Sequence, residues 1–171
     1  MIKKITLSEK SIYFGNVKMP KNFEIDKEKL TENIFNSNYY ENFSYSFSIA
    51  WDKLKNYITD FIRLEHGLNL IPVKSYGKFF QTNEISEPII EFNFYDLKNS
   101  EDFVFLYGVE IDPKTCNVII NYEDDKKIIK NYNYLLENNH FLMFPATESF
   151  YIKNLKNNHL NFIQVITFKR I

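Results

Sequence analysis

The sequence predicts an α+β fold that is mainly β: a β-sandwich or jelly roll with two N-terminal helices packed on one sheet. Three observations carry this expectation. Helical periodicity is confined to the segment ending at Gly67. From Leu68 onward, short apolar runs alternate with turn-forming clusters. No helical pattern separates those later runs, so right-handed β-α-β crossovers have nowhere to form. At 171 residues the chain is long enough to bury a core without metal or disulfide staples. It reads as a single domain over 1–171, with a helix-containing part at 1–67 and a β-rich part at 68–171.

The elements follow in order. "IDKEKLTENIF" (Ile25 to Phe35) places Leu30 and Ile34 on one side, with Asp26 positioned to cap a helix. "FSYSFSI" alternates strictly, Phe43, Tyr45, Phe47 and Ile49 against three serines, as a half-buried strand does. "AWDKLKNYITDFIRLEHG" is the strongest helix. Trp51, Leu54, Ile58, Phe61 and Leu64 recur at helical spacing, and Gly67 stands at the C-cap. "LNLIPVKSY" and "GKFFQT", divided by Gly77, read as strands, as does "PIIEFNFY" with Ile90, Phe92 and Phe94 on one face. "FVFLYGVEI" is nearly continuous apolar strand. "DPKTCN" turns into "VIINY", and "EDDKK" into "IIKNYNYLL". "HFLMF" breaks at Pro145 and resumes as a more polar run, and "LNFIQVITFKRI" suits a strand covered on both faces.

Composition excludes several classes of function. With 44% hydrophobic and 18% aromatic residues, the chain is too apolar to be disordered. The excess of Lys, Asn, Ile, Phe and Tyr over Ala, Arg, Gly and Pro follows AT-rich codons, so counts of Asn and Lys carry no functional weight. A net charge of -1 and a pI near 6.3 leave no global footprint for nucleic acid. The lone Cys116 can form no intrachain disulfide. No apolar run approaches the roughly 18 residues of a membrane span, and Met1 to Leu7 lacks a signal-peptide core. The expected setting is cytoplasmic.

Few residues suggest chemistry. His66 sits at a helix end, where imidazolium suits the dipole. His140 and His159 bracket what read as neighbouring strands, within Asn-rich turns. Carboxylates are plentiful (Glu84, Glu87, Glu91, Glu110, Asp112, Glu123, Asp124, Asp125), and Glu91 and Glu110 are placed to meet across paired strands. Polar-face residues do this in any sheet, so a glycosidase pair is not implied. "NYEDDKK" lacks the Gly and closing Glu of an EF-hand. There is no G-x-S-x-G, no G-x-G-x-x-G and no P-loop.

From Leu54 to the end, the element order resembles the Fe(II)/2-oxoglutarate dioxygenases, in particular small prolyl-hydroxylase-like forms of bacteriophages. "KSYGKFFQTNEISEPIIEF" looks like that family's first strands, "LYGVEIDPKTCNVIINYED" like its middle, and "NHFLMFPATESFYI" with "NFIQVITF" like its end. The resemblance implies a double-stranded β-helix, with two histidines and a carboxylate on iron and an arginine pairing with the cosubstrate. Those ligands are missing here. Counting from Phe144-Pro145, the distal histidine falls on Phe150. The proximal pair falls near Glu84 and Ser86, and the arginine near Asn161.

The resemblance therefore implies a catalytically silent copy of the fold, with no catalytic residue, metal or cofactor. Its degenerate pocket positions are Glu84, Ser86, Phe150 and Asn161. Phe150 is expected to point inward and plug the old pocket beside Phe92 or Phe105. Such a protein acts through its surface, as a binding or structural component with protein partners, in a virion or its assembly if phage-encoded. One alternative is an active dioxygenase with non-standard ligands drawn from Glu84, His140 and His159. Another is a carbohydrate-binding jelly roll using exposed Tyr and Asn.

Overall fold

The computed structural model describes residues 10–17, 25–39, 49–124, 128–155 and 159–171. Two helices and eight strands run in the order β1 (Tyr13–Asn16), α1 (Lys27–Tyr39), α2 (Ile49–His66), β2 (Leu70–Phe80), β3 (Phe103–Glu110), β4 (Cys116–Glu123), β5 (Ile129–Leu136), β6 (His140–Pro145), β7 (Ser149–Asn154) and β8 (Asn161–Arg170). One sheet has the order β1-β6-β3-β8-β2 and the other β5-β4-β7, and every pairing is antiparallel. From β3 on, the chain passes from one sheet to the other and back, winding a double-stranded β-helix. No helix among the described residues is long and apolar enough to cross a membrane.

Alternation along the central strands explains why there are two cores. In β3, Val104 and Leu106 face the second sheet, while Phe105, Tyr107 and Val109 face the helices. Both sets are buried, so this strand and β8 read as continuous apolar runs. The core between sheet and helices takes Leu30 and Ile34 from α1 and Trp51, Leu54, Ile58 and Ile62 from α2. Both helices thus pack on the five-stranded sheet.

Local signals set the helix ends. The Asp26 carboxylate accepts from Lys29 N at 3.0 Å, a side-chain N-cap. Gly67 at φ 65° donates to Arg63 O at 3.0 Å and closes α2. The buried stripe of α2 departs from the expected one. Trp51, Leu54, Ile58 and Ile62 are covered, Phe61 is half-buried and Leu64 is 78% exposed. Steps of three, four and four residues keep one azimuth on a 3.6-residue helix, and Phe61 and Leu64 fall to its flank. The expected strand at Phe43–Ser48 lies outside the described residues, and Ile49 already belongs to α2.

Two strand expectations change. "LNLIPVKSY" and "GKFFQT" form one strand through Gly77. "PIIEFNFY" gives only an irregular segment beside β7, with the isolated bridge Ile89↔Phe150 and, just before it, Ile85↔Lys153. Pro88 brings no N–H to a ladder, and the Ser86 hydroxyl replaces a carbonyl by accepting from Ile152 N at 2.9 Å. Phe92 is half-buried, but Ile90 and Phe94 are 49% and 59% exposed. The three do not share a buried face.

Candidate functional site

The space between the sheets near the start of β7 is where the sequence points. Pro145 ends β6, and Glu148 N donates to Pro145 O at 3.1 Å, a tight turn into β7. Two residues on, Phe150 is fully buried. It exchanges backbone hydrogen bonds with Ile89, at 2.7 and 3.0 Å. Its ring meets Phe144 edge-on, with centroids 5.2 Å apart. Phe92 packs on the same core, whereas Phe105 faces the helices and stacks on Phe141 at 5.3 Å. Across the five-stranded sheet, Phe144 is level with Val104, and Val104 with Thr167. The β8 residue in the row of Phe144 is thus a buried threonine.

The other three positions lie elsewhere. Glu84 O accepts from Asn154 N at 2.8 Å, at the far end of β7, and Ser86 N donates to Ile152 O at 2.9 Å. Asn161 is fully buried at the start of β8. Its amide carbonyl accepts from Asp112 N at 2.8 Å, and its amide nitrogen donates to Thr115 Oγ1 at 2.8 Å and to Asn154 Oδ1. Four residues of strand separate Asn154 from Phe150, about 13 Å at 3.3 Å per residue. Asn161 therefore meets β7 four residues beyond Phe150, whereas Ser86 meets it at Ile152, two residues from Phe150. Asn161, with Asn154, pins the β7–β8 connection, and Phe150 belongs to a hydrophobic cluster with Ile89 and Phe144.

The histidines are likewise dispersed. His66 lies 4.8 Å from Tyr13, ring to ring. His140 opens β6, with Nδ1 4.0 Å from Glu137, and His159 N lies 3.3 Å from Asp112 Oδ2. β3 separates β6 from β8, so the two strands are not neighbours. The Glu84 carboxylate is taken up by Gln81 N at 2.6 Å. Among the described residues no three His, Cys, Asp or Glu side chains stand close enough together to hold a metal ion.

What the sequence reading missed is a polar ladder on β2. Lys74, Tyr76 and Lys78 fall on one face at period two, in "VKSYGK". Tyr76 OH donates to Glu91, and Lys74 Nζ lies 2.8 Å from Glu101 and 3.8 Å from Glu91. Glu91 thus meets β2 rather than Glu110, which sits exposed at the end of β3 opposite Phe162. Lys78 Nζ stands 5.8 Å from the centre of the Tyr76 ring. Burial, and then the Glu91 charge and hydrogen bond, push the Tyr76 phenol well above its usual range. Burial lowers Lys78, an effect that Glu91 opposes. The ladder fastens the irregular segment between β2 and β3 to the sandwich with paired charges. Its only sequence signal was the K-x-Y-x-K alternation.

Burial of titratable groups gives an expected pH dependence. The Cys116 thiol, ordinarily near 9.0, is pushed up to about 12 by burial, and burial raises Tyr107 as well. Folded pKa values above the unfolded ones mean that the unfolded chain loses these protons first, so stability present below pH 9 is lost as pH rises toward 12. Lys78, shifted the other way, opposes this as pH approaches its ordinary 10.5. The urea midpoint should fall above pH 9, and Cys116→Ala should flatten the fall by up to about 1.4 kcal/mol per pH unit. A midpoint flat from pH 8 to 11 in the unmodified chain would show that the thiol titrates freely.

At the level of sequence no family model matches the chain, and no curated protein does. Solved structures do. The chain is similar to a prolyl-4-hydroxylase of Pseudomonas putida, with a TM-score of 0.59 at 8% identity over 94% of this chain and 92% of that one. A prolyl hydroxylase from Trichoplax adhaerens, solved with a hypoxia inducible factor peptide, gives 0.59 at 11% identity over 92% and 82%. The non-heme α-ketoglutarate-dependent epimerase SnoN from nogalamycin biosynthesis gives 0.54 at 11% over 71% and 56%. These likenesses show the fold: a double-stranded β-helix like that of the 2-oxoglutarate/Fe(II) oxygenases, mainly β with helices on one sheet.

That fold implies iron and 2-oxoglutarate, and the residues present do not fit them. A facial triad needs imidazole and carboxylate donors converging on one point. Here Phe150 and Phe144 contribute rings, and Ile89 contributes an apolar side chain and backbone hydrogen bonds. The buried inward positions of β8, Asn161, Ile163, Val165 and Thr167, carry no charge to pair with a cosubstrate carboxylate, and Lys169 farther along donates to Lys98 O at 2.7 Å.

Proposed function

We propose that this chain is a catalytically silent version of the oxygenase fold, acting through its surface as a binding or structural component of a protein assembly. The observation that carries the reading is Phe150. A ring buried against Phe144, where the resemblance calls for a metal-ligating histidine, supplies apolar burial and no lone pair. The dispersal of Glu84, His140 and His159 gives no support to a substitute ligand set. The resemblance to phage-encoded forms makes a virion or its assembly the natural setting for such a protein.

The test is anaerobic titration calorimetry of the full chain with Fe(II) or Mn(II), with and without 2-oxoglutarate. No stoichiometric binding is expected in either arm. Cosubstrate-dependent binding of one metal per chain would overturn the reading.

A further inference from the structure

We infer that two copies of this chain pair through their β5 strands, edge to edge and antiparallel, to make one continuous sheet across a two-fold axis at Tyr132. β5 ends the three-stranded sheet. It pairs with β4 in unbroken register from Cys116↔Leu136 to Glu123↔Ile129, and among the described residues no strand lies on its far side. An exposed edge is ordinarily blunted by proline, a bulge or several charges, because its free N–H and C=O groups template another strand. β5 has no proline, no bulge and a single charge, Lys130, which lies 2.8 Å from Asp124. The edge therefore raises no strong like-charge barrier against a second copy.

Self-complementarity selects that copy as the occupant. Running "IKNYNYL" antiparallel to itself about Tyr132 sets Ile129 opposite Leu135, Asn131 opposite Asn133, Lys130 opposite Tyr134 and Tyr132 opposite itself. On the outer face, apolar meets apolar and amide meets amide. On the inner face, aromatic meets aromatic and a cation meets a ring. Such cross-strand pairs are the unit of sheet stabilisation. Ile129 and Leu135 are 71% and 39% exposed, so the pairing covers apolar surface now in water. Phe14, on the edge strand β1 and 55% exposed, lies 5.3 Å from Tyr134 and 6.5 Å from Tyr132. It extends the aromatic strip from one sheet edge to the other.

The full chain in a sedimentation-velocity dilution series should run as a dimer that dissociates on dilution. Ile129→Lys with Leu135→Lys should give a monomer whose thermal melt matches that of the unmodified chain diluted to monomer, since both side chains are exposed. Register is read by cross-linking: Asn131→Cys mixed with Asn133→Cys should form a disulfide-linked dimer faster than either variant alone, with Cys116 buried and out of reach. A chain monomeric at every concentration, or a dimer that survives the double lysine variant, overturns the proposal. Faster self-linking of either cysteine variant alone overturns the register. Metal titration leaves these outcomes unmoved, so failure here is distinguishable from failure of the catalytic-silence reading.

Discussion

Phe150→His is expected to destabilise the folded chain by about 3 kcal/mol and to create no Fe(II) site. The phenyl ring is fully buried between Ile89 and Phe144, and imidazole in its place loses part of that packing. It also brings two nitrogens against Phe144 and into the cluster of Val104 and Ile152, whose side chains offer no hydrogen-bond partner. A buried polar group left unpaired costs about 1–3 kcal/mol by mutational measures. Phe150→Leu, which keeps the site apolar, should cost clearly less, and the difference between the two variants isolates the polar penalty. Urea melts supply the stabilities and anaerobic calorimetry the metal binding. Phe150→His with wild-type stability and one Fe(II) bound would mean that hidden ligands are in place, and the silent-enzyme reading would fall.

Much of the fold was legible because periodicity reports which side a residue faces. β3 and β8 read as apolar on both faces because helices cover one side and the second sheet the other. Counting five residues on from Pro145 correctly placed Phe150 inside. Counting fixes parity, however, and not distance along a strand. Asn161 follows a connection whose path no spacing gives, so it proved to sit a strand's length from Phe150, fastened to Asn154. The segment from Gln81 to Asp102 was the least legible. Its shape is set by Pro88, by the Ser86 hydroxyl and by ion pairs to Lys74 from residues remote in sequence. The K-x-Y-x-K alternation marks one side of this pairing, but nothing in the spacing of Glu91 and Glu101 marks the other.

Gly108→Ala is expected to be the most damaging small substitution in the chain. A Cβ at Gly108 would lie 2.1 Å from Glu137 O and 3.0 Å from Glu137 C, so the obstacle is backbone. The turn it would displace is bolted to β3. Asn139, at φ 61°, donates from N to Gly108 O at 2.9 Å, and its Oδ1 accepts from Tyr107 OH at 2.8 Å. Asn138 completes the clamp, its side-chain oxygen taking Ile111 N at 2.7 Å and its nitrogen giving to Ile111 O at 3.1 Å. Moving the turn breaks these bonds together, and each buried group left unsatisfied costs about 1–3 kcal/mol. The variant should lose more than about 3 kcal/mol, and trimming the other neighbour with Ile111→Val should not restore it. Gly77→Ala provides the contrast. Its added carbon would meet only the side chain of Ile34, with Cγ1 at 2.2 Å and Cδ1 at 2.9 Å. Ile34→Ala removes both atoms and leaves only its Cβ, at 3.0 Å, so Gly77→Ala should be costly alone and clearly less so in the Ile34→Ala background, with a coupling of about 1–3 kcal/mol in the cycle. A Gly108→Ala melt within about 0.5 kcal/mol of wild type would show that the turn yields without cost and that β3 is not clamped there.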